Sequence, residues 1–247
     1  REVEGAPLTA ALMVLGFDIP LLQKATFARA AAGATRILNS LSVPLVQMAT
    51  NYRQLPVDWQ HVFPTALAAS LSLLQNSFST GVIAGGFGRP WPDPLNPPSS
   101  NDVTDPLLSS DRFRIVHHGP HLSRFDKITG LAEWAEALHD MRVCWQGPSL
   151  DRNCCRCEKC VRNILMFRAL GLGLPPCFPE DVTDERIRRL VVPEHQWRAE
   201  FLAILDLAKR RKIDDSWVDA TRACVERNRR RHRLRRLLRP LREIVRP

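Results

Sequence analysis

Four thiols stand close together in the chain: Cys144, Cys154, Cys157 and Cys160, in the pattern C-x9-C-x2-C-x2-C. An x2 spacing lets two sulfurs on a tight turn reach one ion at about 2.3 Å. Three ligands from one turn and a fourth from the end of a preceding strand close a tetrahedron. With four protein sulfurs no position remains for a reactive water, so the expected ion is a structural zinc that pins Met141–Trp145 to the helix that follows. Cys155 could replace Cys154 at a poorer spacing, and an iron–sulfur cluster suits four thiolates as well. Cys177 and Cys224 stand apart and read as small buried hydrophobes. The seven cysteines are odd in number and four crowd into Cys154–Cys160. That fits metal ligation in a reducing compartment better than a disulfide framework, and a cytoplasmic protein is expected.

The elements that must position this cluster follow from hydrophobic patterning. Ala11–Gly16 is a short apolar run closed by glycine, as expected of a buried strand ending in a loop. Residues 21–41 are alanine-rich, with Phe27, Ala31 and Ile37 near helical spacing, and Val43–Met48 is the next apolar run. A second helix is expected over Pro64–Leu74, then strands at Thr80–Ala84 and Phe113–Val116, a helix over Leu122–Leu138 and a strand at Met141–Trp145. Strands too apolar to face water, alternating with helices, predict an α/β fold with a parallel sheet covered by helices. From Asp181 onward the pattern is helical only: Glu185–Val192, Gln196–Ala208, and Trp217 into the tail. The boundary between an α/β core, 1–175, and a helical region, 176–247, is placed near Pro175-Pro176.

The 247 residues, 45% hydrophobic and 25% charged, have an ordinary globular composition. No apolar run is long enough to cross a bilayer, and Arg1-Glu2-Val3-Glu4 is neither a signal peptide nor a natural start, so a fragment is expected. The net charge of +9 is confined to the tail, where Arg227–Pro247 carries ten arginines against Glu243. Leu234, Leu237, Leu238, Leu241, Ile244 and Val245 lie near helical spacing among these arginines, predicting a basic amphipathic helix kinked at Pro240. Leucines packed on the body rank first for this helix, RNA contact second and an anionic membrane third.

Val143-Cys-Trp145 and Asn153-Cys-Cys-Arg-Cys-Glu-Lys-Cys-Val-Arg162 resemble the zinc element of the 7-cyano-7-deazaguanine synthases, with Cys155 where that family has a glycine. The resemblance extends more faintly over residues 10–170, through Gly16–Pro20, Thr50–Arg53, Asp102–Ser110 and His118–Lys127. Those enzymes belong to the PP-loop ATP pyrophosphatases, whose fold is a Rossmann-like parallel sandwich of the adenine-nucleotide α-hydrolase type. The resemblance implies an AMP-forming ligase or amidating enzyme that uses ATP and Mg²⁺ to activate a small-molecule acid. The family's S-G-G-x-D-S phosphate loop, after its first strand, is absent here. Either the first strand is cut off, and this fragment does not turn over, or the chain is a degenerate relative. Gly85–Gly88 lacks the Lys and hydroxyl of a Walker A loop and reads as a turn.

In that frame Asp18, Asn51 and Arg53 close strands where a nucleotide would lie, and Arg124 and Lys127 align with the family's lysine-bearing segment as candidate phosphate contacts. Asp102 and Asp105 fall in the loop where relatives bind substrate. Each has a plainer reading: Asp18 as a helix cap, Arg53 in a surface ion pair, the loop acids in solvent. Gly85–Ser100, rich in proline, is either a substrate lid or a surface connection. His117, His118 and His121 lack a partner at ligand spacing, so a metal there is not expected. A non-catalytic zinc module binding RNA through its tail, or a scaffold, is the rival class, and a homo-oligomer is left open.

Overall fold

The computed structural model describes residues 2–3, 5–86, 97–193 and 197–244. The chain is mixed α/β and divides into two compact units, Arg1–Asn153 and Cys154–Pro247.

The first unit opens with a short antiparallel pair, β1 (Glu2–Val3) and β2 (Ala6–Pro7). Strand β3 (Ala11–Leu15) then pairs in parallel with β4 (Leu45–Ala49), from Ala11 opposite Leu45 to Leu15 opposite Ala49. A parallel pair needs a crossover, and α1 (Lys24–Asn39) supplies it. This helix buries Phe27, Ala30 and Ala31 with Leu15 and Ile19. Gly16, at the end of β3, has φ +103°, and a Cβ there would lie 1.9 Å from the Thr50 carbonyl oxygen. Only glycine lets the two strand ends approach this closely.

Helix α2 (Trp59–Ser72) starts five residues earlier than its proline suggests, because Asp58 caps it by accepting from the Gln60 N–H. Pro64 therefore sits inside the helix, where it cannot donate to the Gln60 carbonyl. The Ser99 hydroxyl donates to that carbonyl instead, at 2.7 Å. A second parallel pair follows, β5 (Thr80–Ala84) with β6 (Arg114–His118). It carries its own core, in which Ile83, Phe113 and Ile115 pack with Ala68.

The single helix expected over Leu122–Leu138 is two helices, α3 (Arg124–Leu131) and α4 (Ala135–Asp140). Ser123 and Asp126 form a capping box at the start of α3. Between the helices Trp134 leaves helical geometry, and its indole N–H donates to Ser40 Oγ at 2.9 Å. Asp140 takes a two-bonded contact from Arg36, at 2.6 and 2.8 Å, which fastens α4 to α1. Those bonds from Arg36 hold the Asp140 carboxyl below the ordinary carboxylate range, against the opposing effect of its partial burial. The strand expected at Met141–Trp145 does not form; that segment is irregular and is held by side chains.

The second unit is helical. Helix α5 (Glu158–Ala169) is buried almost throughout, with Val161, Ile164, Leu165 and Met166 inside. Its Arg162 lies between two buried carboxylates, Glu158 at 3.0 Å and Glu200 at 2.8 Å. Thr183 caps α6 (Asp184–Arg189). Of the helix expected over Gln196–Ala208, Gln196 lies outside the described residues, Trp197–Phe201 form a π turn, and α7 (Leu202–Arg210) follows. The last helix, α8 (Ser216–Ile244), runs 29 residues. Trp217, Ala220, Thr221, Cys224 and Asn228 are buried along it. Asn228 clamps the segment after α6, accepting from the Val192 N–H at 3.0 Å and donating to the Leu190 carbonyl at 2.9 Å. Burial makes the Cys224 thiol harder to ionise than usual. Two of the leucines expected to pack on the body do not: Leu234 is 58% and Leu237 65% exposed. The His232 ring bonds the Val192 carbonyl, and Arg233–Arg235 beyond it are exposed. Val245 lies outside the described residues.

Candidate metal centre

Cys144, Cys154, Cys157 and Cys160 come together, with their sulfurs all within 4.8 Å of one another. The Cys154 and Cys160 sulfurs are 3.9 Å apart. A regular tetrahedron with metal–sulfur bonds of about 2.3 Å has edges of about 3.8 Å. A disulfide would bring two sulfurs to about 2.05 Å, and none of the seven cysteines is in one. Cys144 and Cys160 are buried, Cys154 and Cys157 half-buried. The four cysteines can therefore hold a metal ion such as zinc.

Local backbone geometry builds the turn. Cys157 is the N-cap of α5, its sulfur accepting from the Cys160 N–H at 3.5 Å, while the Cys154 sulfur accepts from the Cys157 N–H at 3.3 Å. Both bonds reduce the charge on sulfurs that must be thiolates to bind metal, and the start of α5 adds the positive end of a helix dipole. Cys155 lies between them in the left-handed region, at φ +56°. A glycine would adopt this conformation without strain. Cys155 is buried but does not belong to the four-sulfur group.

Asn153 was not legible as a functional residue, since an asparagine before a cysteine turn reads as a turn former. Its side chain replaces the ladder that the Met141–Trp145 strand would have had. Oδ1 accepts from the Val143 N–H at 2.9 Å and the Cys144 N–H at 3.2 Å, and Nδ2 donates to the Met141 carbonyl at 2.8 Å. Arg142 adds a bond to the Cys144 carbonyl at 2.9 Å. Three hydrogen bonds from one buried amide thus set the position of the first ligand.

Of the other candidate residues, Asp18, Asn51 and Arg53 follow the parallel strands β3 and β4, while Arg124 and Lys127 belong to α3. Asp18, after β3, pairs with Arg142 at 3.5 Å and does not cap α1, whose N-cap is Gln23. Asn51 precedes a 3₁₀ turn at Tyr52–Gln54 after β4, and the Arg53 guanidinium stacks 4.5 Å over Trp59 in place of an ion pair. After β5, Lys127 donates to the Gly85 carbonyl and Arg124 to the Gly86 carbonyl, so two cations of α3 converge on one strand end. Gly85 is itself fixed as glycine, because a Cβ there would lie 2.8 Å from His117 Nε2. Phe87–Asn96, with most of the proline-rich loop and Gly88, lies outside the described residues.

Asp105 is fully buried. Its carboxylate accepts from Ser100 Oγ at 2.7 Å and contacts His117 Nδ1 at 2.8 Å, anchoring the loop to β6. Asp102, three residues earlier, is half-buried. His118 and His121 are exposed, and among the described residues only the four cysteines form a group able to hold a metal.

Compared with known proteins, the chain matches no family model, no curated protein and no solved structure.

Proposed function

We propose that the four-cysteine cluster holds a structural zinc and that the chain is part of an ATP-dependent, AMP-forming ligase of the 7-cyano-7-deazaguanine synthase-like type. The metal reading is supported by the 3.9 Å sulfur separation. That spacing suits a single ion, whereas a multi-iron cluster sits between its thiolates and holds them farther apart. Four sulfurs leave no exchangeable site, so the ion braces the turn before α5 and takes no part in turnover.

The observation that carries the ligase reading is the convergence of Arg124 and Lys127 on Gly85 and Gly86. In open α/β sheets ligands sit outside the carboxyl ends of strands, and two cations held there by backbone carbonyls suit a polyphosphate. Asp18, Asn51 and Arg53 follow β3 and β4 and, on this reading, would meet the nucleoside. ATP would supply an activated acyl-adenylate from a small-molecule acid; the chain's part is to orient the phosphates and screen their charge. Mg²⁺ would share that screening. The fold that goes with this reading is the adenine-nucleotide α-hydrolase-like sandwich.

The test is ATP–pyrophosphate exchange by the protein expressed from its native reading frame, with a panel of small carboxylic acids. Exchange that falls at least about tenfold in both Arg124→Ala and Lys127→Ala supports the assignment. Exchange unaffected by either substitution contradicts it.

The exposure of Leu234 and Leu237 among arginines favours a second reading, in which α8 is a docking helix for RNA. Phosphate contacts would then give a steep salt dependence of RNA binding, lost on deleting Arg229–Pro247.

A further inference from the structure

The first unit holds two parallel pairs, and they are not joined: β3 bonds only β4 and β5 only β6 among the described residues. The direction of each backbone group follows from the flanking bonds. Ala11 N–H donates to the Pro44 carbonyl and the Leu15 carbonyl accepts from Thr50 N–H, so Ala11, Met13 and Leu15 face β4. In a parallel ladder alternate residues face opposite neighbours. Leu12 and Val14 therefore direct their N–H and C=O groups away from β4. On β5, Ser79 and Gly85 bond β6, which turns Thr80, Val82 and Ala84 away from it.

These same five residues line one cavity of about 1020 Å³, together with apolar side chains such as Leu71 and Phe78. The cores on its two sides are separate clusters, one against β3 and β4, the other against β5 and β6. A five-residue strand is about 17 Å long, a strand spacing about 4.8 Å and a packed sheet layer about 10 Å thick, giving a slot of about 800 Å³. The cavity thus has the volume of one strand, and two rows of backbone donors and acceptors border it. A helix brings no backbone groups to satisfy such rows, and a small apolar ligand brings none either.

We infer that this cavity is a slot for one extended peptide strand, apolar in its side chains and supplied from outside the 247 residues, which bonds β3 along one edge and β5 along the other. A strand in this slot is paired on both edges, and the apolar lining of the cavity calls for apolar side chains on it. The occupant joins the two pairs into one five-stranded sheet. The inference rests on the cavity and the strand edges alone and is independent of the ligase reading.

Amide hydrogen exchange tests it on the 247-residue chain, with and without the capped peptide Lys-Lys-Val-Ile-Val-Leu-Val-Lys-Lys at up to millimolar concentration. Alone, the amides of Leu12, Val14, Thr80, Val82 and Ala84 exchange fast while those of Met13 and Leu15 are protected. The peptide slows the five by at least about tenfold and leaves Met13 and Leu15 unchanged. The same peptide with proline at its centre does not. Val82→Pro removes a donor aimed at the slot but none from the β5–β6 ladder, so this variant keeps its melting temperature and loses the peptide effect. Full protection of the five amides in the chain alone, at any protein concentration, overturns the inference. No slowing with the peptide, or slowing that persists in Val82→Pro, overturns it as well.

Discussion

Replacing Asn153 by alanine isolates the device that places the first metal ligand. The substitution leaves the four cysteines intact but removes the acceptor for the Val143 and Cys144 N–H groups and the donor to the Met141 carbonyl. At about 1 kcal/mol net per hydrogen bond, three bonds amount to about 3 kcal/mol. If Asn153 serves chiefly to hold Cys144 ready, that energy appears as lost metal affinity. About 2.8 kcal/mol is a factor of 100 in an equilibrium constant, the upper end of what a residue supporting a ligand contributes. The assay is competition for zinc against a chromogenic chelator, run beside thermal melts of the zinc-loaded and chelator-treated protein. Asn153→Ala should weaken zinc binding by about 10- to 100-fold, at unchanged stoichiometry, and lower the melting temperature mainly of the loaded form. Asn153→Asp should fall between, since it keeps the acceptor and loses the donor. Zinc affinity within about twofold of the parent would refute the reasoning, because it would mean the ion alone orders Met141–Trp145.

Gly16→Ala should destabilise the first unit by about 3 kcal/mol or more in urea unfolding, since it combines strain at positive φ with a Cβ forced onto the Thr50 carbonyl; a cost under about 1 kcal/mol would contradict the close approach. Cys155→Gly should retain one zinc per chain and change stability by less than about 1 kcal/mol, because relief of the left-handed backbone offsets the loss of a small buried side chain. Asp140→Asn should flatten the acid limb of the stability curve. The Asp140 carboxyl is depressed in the folded state, so its pairing with Arg36 contributes fully above the unfolded value of about 3.9 and is lost as pH falls through the folded one. Melts from pH 2 to 6 would show a shallower slope in the variant; equal slopes would remove the pair from the account.

The parts legible in the sequence were those encoded locally. The x2 spacings bring Cys154, Cys157 and Cys160 onto one turn whatever surrounds them, and the apolar runs at Ala11 and Thr80 form strands where expected. What was hidden depends on partners distant in sequence. Pro64 reads as a helix start because nothing near it reveals that Ser99 will satisfy the carbonyl it leaves. Trp134 fits a continuous helical stripe, and only Ser40 on another element explains the break. Met141–Trp145 has the composition of a strand, yet its ladder is replaced by one asparagine amide. Leu234 and Leu237 have the spacing of a packed face, but both are exposed. An apolar strand also looks the same in sequence whether one of its edges is paired or both, so the slot beside β3 and β5 left no local mark.

The central claim, one zinc held by four named sulfurs, is tested most directly by counting metal in the purified chain and in its seven single Cys→Ser variants by native mass spectrometry with elemental analysis. The account predicts one zinc per chain in the parent and in the Cys155, Cys177 and Cys224 variants. Cys144→Ser, Cys154→Ser, Cys157→Ser and Cys160→Ser should each lose it or hold it far more weakly. Full zinc retention in any of those four, or iron with inorganic sulfide in place of zinc in the parent, would contradict it.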